Sequence, residues 1–208
     1  MVGVSTLVSA QLHGWKRLPS KERTGSSQLT NDTGFPNLDL PRILAVLDEH
    51  GVEHVVVGGA AGVAYGANRP TEDIDVVVRR ERANLVRLAA ALRSMNARLR
   101  VGGMSDEEAK QLPVIIDEDT INVQGTMTWT TDLGPLDVLA GLATHGGFIR
   151  DYDQLRKRAT VIIGEGFVMV AANLADIIES KEVANRQKDL DALAELRQLR
   201  DEADARRE

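Results

Sequence analysis

Apolar residues recur at helical spacing over residues 38–51, where Ile43, Leu44 and Leu47 share a face, Pro41 stands near the start and Gly51 supplies a stop. The spacing predicts a helix. Val55, Val56 and Val57 form a short unbroken apolar run, ended by Gly58-Gly59, and read as a buried strand. Residues 60–65 predict a short helix, 66–70 a loop, and 74–78 a second buried strand. Leu85, Leu88, Ala89 and Leu92 line one face of an amphipathic helix over 84–95. The middle of the chain is less periodic: Gly102-Gly103 and Asp106-Glu107-Glu108 predict a loop entering a short helix. Residues 127–131 alternate as a strand, Leu133-Gly134-Pro135 turns, and 136–139 returns as its neighbour. Residues 160–163 and 167–170 flank a Gly-Glu-Gly turn as a hairpin. Asn173 caps a helix through Glu182, which continues or bends into a helix over 186–199, with a frayed end beyond Asp201.

Residues 1–36 carry no such pattern, and the polar, turn-rich stretch 20–34 predicts a flexible N-terminal tail. The expected organisation is a tail over 1–36, an α+β core over 37–171 with a small mixed β-sheet flanked by helices, and a helical C-terminal segment over 172–208.

Composition narrows the chemistry. A chain of 208 residues suits one compact domain with an extension. Cysteine is absent, which excludes disulfides, thiolate metal sites and cysteine nucleophiles, and fits a reducing cytoplasm. The four histidines show no zinc-binding spacing. The net charge of −6 argues against a general polyanion binder, yet residues 79–100 hold seven arginines against one glutamate. No apolar run reaches the length of a membrane span, and the apolar start lacks a basic region before it, so no membrane partner is expected.

Asp73-Ile74-Asp75 is the centre of the chemical argument. Residues two apart on a strand point to the same side, so the two carboxylates share a face, roughly 7 Å apart at the backbone. Like charges on an apolar strand call for a cation, and oxygen-only donors favour Mg²⁺ or Mn²⁺. Alone, the pair reads more readily as two exposed carboxylates at a strand end. Gly58-Gly59, opening a short helix, offers backbone N–H groups to a phosphate, and Asp137 lies mid-strand where it could stand beside Asp73 and Asp75. Three acids on adjacent strands beside a glycine turn are what metal-assisted phosphoryl chemistry requires.

Gly58-Gly59, Gly66, Arg69, Thr71, Asp73-Ile74-Asp75 and Asp137 together resemble the signature of the polymerase-β-like nucleotidyltransferase superfamily. Ser180-Lys181 and Arg186-Gln187-Lys188-Asp189 are similar to motifs of its AbiEii/MenT-like toxin branch. The resemblance spans residues 40–200 but rests on these islands. It implies that Asp73 and Asp75 ligate two metal ions, and that Asp137 holds the catalytic ion and orients or deprotonates the acceptor hydroxyl. Gly58 and Gly59 would cradle a nucleoside triphosphate, with Lys181 neutralising it in a catalytic role and Arg69 and Asp189 in nucleotide binding. Arg186 and Asp189 read equally as an i, i+3 pair on an exposed helix face. Ala60 stands where many relatives carry a serine, which leaves the phosphates to the backbone and Lys181. Arg79, Arg80 and Arg82, beginning four residues after Asp75, are expected to flank the site and contact RNA. The resemblance further implies a tRNA 3′ end as acceptor and a cognate antitoxin as partner. Two alternatives stand beside it: transfer to an antibiotic, and a catalytically silent nucleotide-binding module. The silent form would be expected to lack one of the three carboxylates.

Overall fold

A computed structural model describes residues 8–9, 37–164 and 166–205. Helix α1 (Leu40–Glu49) starts where Asp39 accepts a hydrogen bond from the Arg42 N–H at 3.2 Å and Pro41 occupies the first turn. Strand β2 (His54–Val57) is fully buried and runs straight into helix α2 (Gly58–Ala64), then strand β3 (Ile74–Val78) and helix α3 (Arg82–Ser94). The glycine pair therefore opens α2 rather than standing before it. Strand β4 (Arg98–Leu99) and the short helices α4 (Asp106–Ala109) and α5 (Glu118–Ile121) fill the middle. The hairpin of β5 (Thr126–Thr131) and β6 (Gly134–Leu139) follows, then the small ribbon of β7 (Leu142–Ala143) and β8 (Ile149–Arg150). Helix α6 (Tyr152–Arg156) leads to the hairpin of β9 (Thr160–Gly164) and β10 (Phe167–Ala171). Helices α7 (Leu174–Ala184) and α8 (Gln187–Ala205) end the described chain.

The architecture is α+β, as expected. One mixed sheet has the order β1-β9-β10-β2-β3-β6-β5-β4, where β1 is Val8–Ser9. The expected tail thus lies outside the described residues except at β1, which pairs in parallel with Ile162 and Ile163. The sheet joins both expected hairpins to the two central strands, and it is wider than a small sheet because β9 and β10 extend it through the parallel pairing of Ala171 with Val56. The central register matters most for function. Strand β3 runs antiparallel to β2, pairing Asp75 with Val57, and parallel to β6, pairing Asp75 with Asp137.

The β5–β6 turn falls on Asp132-Leu133, one residue earlier than the glycine and proline suggest. Gly134 opens β6 with φ +114°, and a Cβ there would stand 2.6 Å from the Leu38 Cα, so only glycine lets the chain entering α1 pass this close. One hydrophobic core joins α1, β2, β3, α3, Trp129, Leu136 and the inner faces of α7 and α8, through Ile177, Ile178, Leu193 and Leu196. The C-terminal helices therefore pack on the same core as the sheet. Asn185, in the left-handed region at φ 49°, ends α7 and turns the chain into α8. That helix continues to Ala205, past the fraying expected at Asp201. No helix among the described residues is long and apolar enough to cross a membrane.

Candidate active site

The β2–α2 junction and the parallel β3–β6 pair place the acids beside the glycines. Gly58 has φ +63°, and a Cβ on it would lie 2.0 Å from the Asp75 Oδ2, so the Asp75 carboxylate packs directly against backbone that only glycine can supply. Thr71 donates its hydroxyl to the Asp73 carbonyl at 2.9 Å and lies 3.2 Å from Asp73 Oδ1, which fixes the approach to β3. Asp75 and Asp137 are register partners on neighbouring strands, so their side chains rise from the same face.

These residues floor a cleft of about 460 Å³, a size that takes a small-molecule ligand. Its walls bring together Gly58, Gly59, Arg69, Asp73, Asp75, Asp137, Lys181 and Asp189. These eight residues are separated by up to 131 positions in sequence.

Electrostatics single out the floor. Burial, then the charges of Asp73 and Asp137, push the Asp75 carboxyl up to about 7, against partial relief from Lys181 and Lys188. Burial also lifts the Asp137 carboxyl, opposed by a hydrogen bond from Thr128 and by the charges of Arg100 and Lys188. The Asp137 Oδ1 is buried with no hydrogen-bond partner among the described residues. An orphan carboxylate oxygen beside two further carboxylates, with no histidine, cysteine or methionine in the cleft lining, fits a hard divalent cation. The fit is one of donor chemistry: among the described residues no three acidic or histidine side chains converge closely enough to enclose an ion by themselves.

Lys181 does not stand free. Its Nζ lies 2.9 Å from Asp189 Oδ1, while the other Asp189 oxygen receives Arg186 Nε at 2.6 Å. Burial pushes the Asp189 carboxyl up, but the hydrogen bonds from Arg186 and Lys181 outweigh it and hold the group below the ordinary range. The i, i+3 pairing of Arg186 and Asp189 is present, yet Asp189 is only 1% exposed and faces the cleft, not solvent. Its carboxylate holds two cations in place.

The arginine run is not gathered at the site. Strand β3 carries Arg79, Arg80 and Arg82 to its opposite end, on the order of 13 Å from Asp75 at 3.3 Å per residue. There Arg79 binds Glu53 at 2.9 Å and Asp153 at 2.7 Å and lies over the Tyr152 ring. Arg80 donates to Asn122 at 2.6 Å, and Arg82 pairs with Glu118 and Asp119. None of the three lines the cleft. The expectation that closeness in sequence would make them flank the acids does not hold, because an extended strand separates what it joins. Arg100, at the other end of the run, stands nearer: its N–H binds the Thr128 carbonyl, and Thr128 is the register partner of Asp137. Thr128 and Glu195 escaped the sequence reading, and Arg100 entered it only as the last of the arginine run. Only Glu195 left a signal, sharing the α8 face of Asp189, Ala192 and Leu196 at helical spacing.

His145 lies in the loop between β7 and β8 and is tied to α7 through Glu182 at 2.8 Å. Trp129 is fully buried in the core.

No family model matches the chain, and no curated protein matches it. Among solved structures, a candidate nucleotidyltransferase from Thermotoga maritima is similar, at 13% identity and a TM-score of 0.47, over 75% of this chain and 88% of that one. The solution structure of the antibiotic-resistance factor ANT(2'')-Ia is similar at 17% identity and a TM-score of 0.45, covering 79% of this chain and 89% of that one.

Proposed function

We propose that the protein is a divalent-metal-dependent nucleotidyltransferase that moves a nucleotidyl group from a nucleoside triphosphate to an acceptor hydroxyl. The observation that carries this reading is the in-register pairing of Asp75 with Asp137, with Asp73 two residues before, on the floor of a cleft walled by Gly58-Gly59 and Lys181. Asp73, Asp75 and Asp137 would hold Mg²⁺ or Mn²⁺. When bound, such an ion neutralises charge developing on the phosphate oxygens. Lys181, aimed by Asp189, binds the triphosphate, and Gly58 and Gly59 let it approach the backbone. Asp137, whose carboxyl is raised by burial, orients the acceptor hydroxyl and takes its proton. The acceptor oxygen bonds to the α-phosphorus as the bond to pyrophosphate breaks and pyrophosphate leaves. All three acids are present, which disfavours a silent module.

For the acceptor we favour an RNA 3′ hydroxyl, in a toxin that a cognate antitoxin would restrain. Arg100 beside Thr128, together with Arg69 and Lys188 on the cleft wall, suits a chain of phosphates. A cationic antibiotic is the second reading, favoured by Glu72 at the cleft and by the neutralised state of Arg79 and Arg82. Incubation with each labelled nucleoside triphosphate, Mg²⁺, and either total RNA or an aminoglycoside decides between them. Label in RNA is expected. Label in the drug selects the second reading, and transfer to neither overturns the proposal.

A further inference from the structure

Helix α8 touches the cleft at two places that are far apart along it. Near its start Asp189 holds Lys181 and Arg186. Nearly two turns later Glu195 Oε1 accepts the backbone N–H of Asn68 at 2.8 Å, a bond spanning 127 positions. Asn68 immediately precedes Arg69 in loop 66–73, which joins α2 to β3 and also carries Thr71 and Asp73. The same helix face closes on this region with apolar contacts. Leu196 Cδ2 would stand 3.3 Å from a Cβ at Gly62, and Leu199 Cδ2 3.6 Å from one at Gly66. Arg69 is exposed on the cleft wall and makes no hydrogen bond or ion pair among the described residues, so where its guanidinium stands depends on the loop beneath it.

We propose that Glu195 is a positioning residue for the nucleotide: it ties loop 66–73 to α8 and so holds Arg69 over the cleft to meet the triphosphate. The inference rests on the nucleotidyltransferase reading. A carboxylate accepting a backbone N–H is among the stronger neutral-donor hydrogen bonds, and it orders the loop before any ligand arrives. Binding then need not fix a free loop, which is how preorganisation improves affinity without touching later steps. Glu195 therefore acts on nucleotide affinity and leaves turnover at saturating nucleotide nearly unchanged.

The test uses the full-length protein, with Mg²⁺ and each of ATP, CTP, GTP and UTP in turn, titrated by calorimetry, and turnover for the tightest binder. Glu195→Ala should weaken that nucleotide about tenfold, Glu195→Gln, which keeps an oxygen acceptor, should stay within about twofold of the parent, and kcat should change little in either. Arg69→Ala should weaken binding to the same degree. Adding Glu195→Ala to Arg69→Ala should cost no further affinity, since the tether works through the arginine. Should the alanine variant lose its fold by circular dichroism, Glu195→Asp replaces it and should weaken binding where Glu195→Gln does not. Parent-like affinity in Glu195→Ala, or losses that multiply in the double variant, overturns the inference while leaving the nucleotidyltransferase reading intact. A parent that binds none of the four nucleotides overturns both.

Discussion

The two ends of β3 treat charge in opposite ways. At the Arg79 end, every cation near the strand is answered: Glu53 and Asp153 for Arg79, Asn122 for Arg80, Glu118 and Asp119 for Arg82. Even the Arg79 guanidinium carbon stands 5.0 Å from the centre of the Tyr152 ring. At the Asp75 end, three carboxylates crowd the floor of a cleft, one of them pushed to about 7 and another with an orphan oxygen. Both ends belong to one short strand packed in one core, so the contrast does not reflect a difference in scaffold. Stability alone would answer the charges at both ends, because an unpaired buried carboxylate costs more than a paired one returns. On the proposed reading the uncompensated end keeps its charge for a ligand, while the compensated end only closes the fold.

The largest effect expected from breaking this contrast is on transfer. Asp73→Ala or Asp75→Asn should lower the transfer rate by roughly a thousandfold or more, on the order of 4 kcal/mol of transition-state stabilisation. A radiolabel transfer assay with Mg²⁺ measures it. Parent-level transfer by either variant with EDTA present would remove the site from the acidic end.

Next comes the pair of cations behind the floor. Asp189→Ala leaves Lys181 and Arg186 without their shared carboxylate at a position that is only 1% exposed. The Lys181 side chain is 18% exposed and that of Arg186 62%, so what is lost is two charge-assisted hydrogen bonds, together about 3 kcal/mol. The expected outcome is a melting temperature lower by roughly 6–12 °C for a chain of this size, with nucleotide binding weakened as well. Unchanged melting would mean that Asp189 does not hold the α7–α8 junction together.

The sign reverses at Asp75. Its folded carboxyl is raised from the ordinary 3.8 to about 7, so the folded state binds the proton more tightly than the unfolded chain does. That contribution to stability is fully present below about pH 4 and is lost as pH rises through 7. In EDTA at pH 8 the charged carboxylate therefore burdens the fold, and Asp75→Asn should raise stability by roughly 2 kcal/mol, or about 5 °C. The advantage should shrink as pH falls from 8 to 5. A melting curve in EDTA at those two pH values checks it, and a destabilised Asp75→Asn at pH 8 would show that the site is already compensated without a cation. The same substitution thus separates what the acidic end does for the ligand from what it costs the fold.

How far the sequence carries these conclusions follows from where each signal is local. Helices α1 and α3, strands β2 and β3, and the β9–β10 hairpin were all legible, because periodicity and turn residues are properties of short windows. Asp73, Asp75 and the glycine pair were legible for the same reason. Thr128 was not, since its pairing with Asp137 depends on the turn falling at Asp132-Leu133; a turn one residue later shifts every partner across the hairpin. Glu195 was hidden because its partner is a backbone N–H of a distant loop, which no side-chain pattern announces. The arginines at positions 79–82 misled for a geometric reason. Four residues seem close in a sequence, but along a strand they span the sheet.

That geometry supplies the smallest and most discriminating expectation. If the two ends of β3 are functionally separate, cations at the compensated end should be dispensable for transfer, while the one beside Asp137 should not. Arg80 and Arg82 bind polar or acidic partners at the surface, and surface pairs contribute only about 0–1 kcal/mol each. Arg80→Ala with Arg82→Ala should therefore leave transfer to RNA within about twofold of the parent and melting within roughly 3 °C. Arg100→Ala removes a positive charge that acts on Asp137 and lies across one strand from it. It should weaken use of an RNA acceptor about threefold to tenfold, up to roughly 1.4 kcal/mol, and flatten the salt dependence by about one phosphate contact. Nucleotide affinity should stay put, because Arg100 does not line the cleft proposed to bind it. Transfer rate against RNA concentration at two salt levels reads both variants. If instead the Arg80/Arg82 variant loses RNA use and Arg100→Ala does not, the acceptor runs along the far end of the sheet, and the division drawn between the two ends of β3 is wrong.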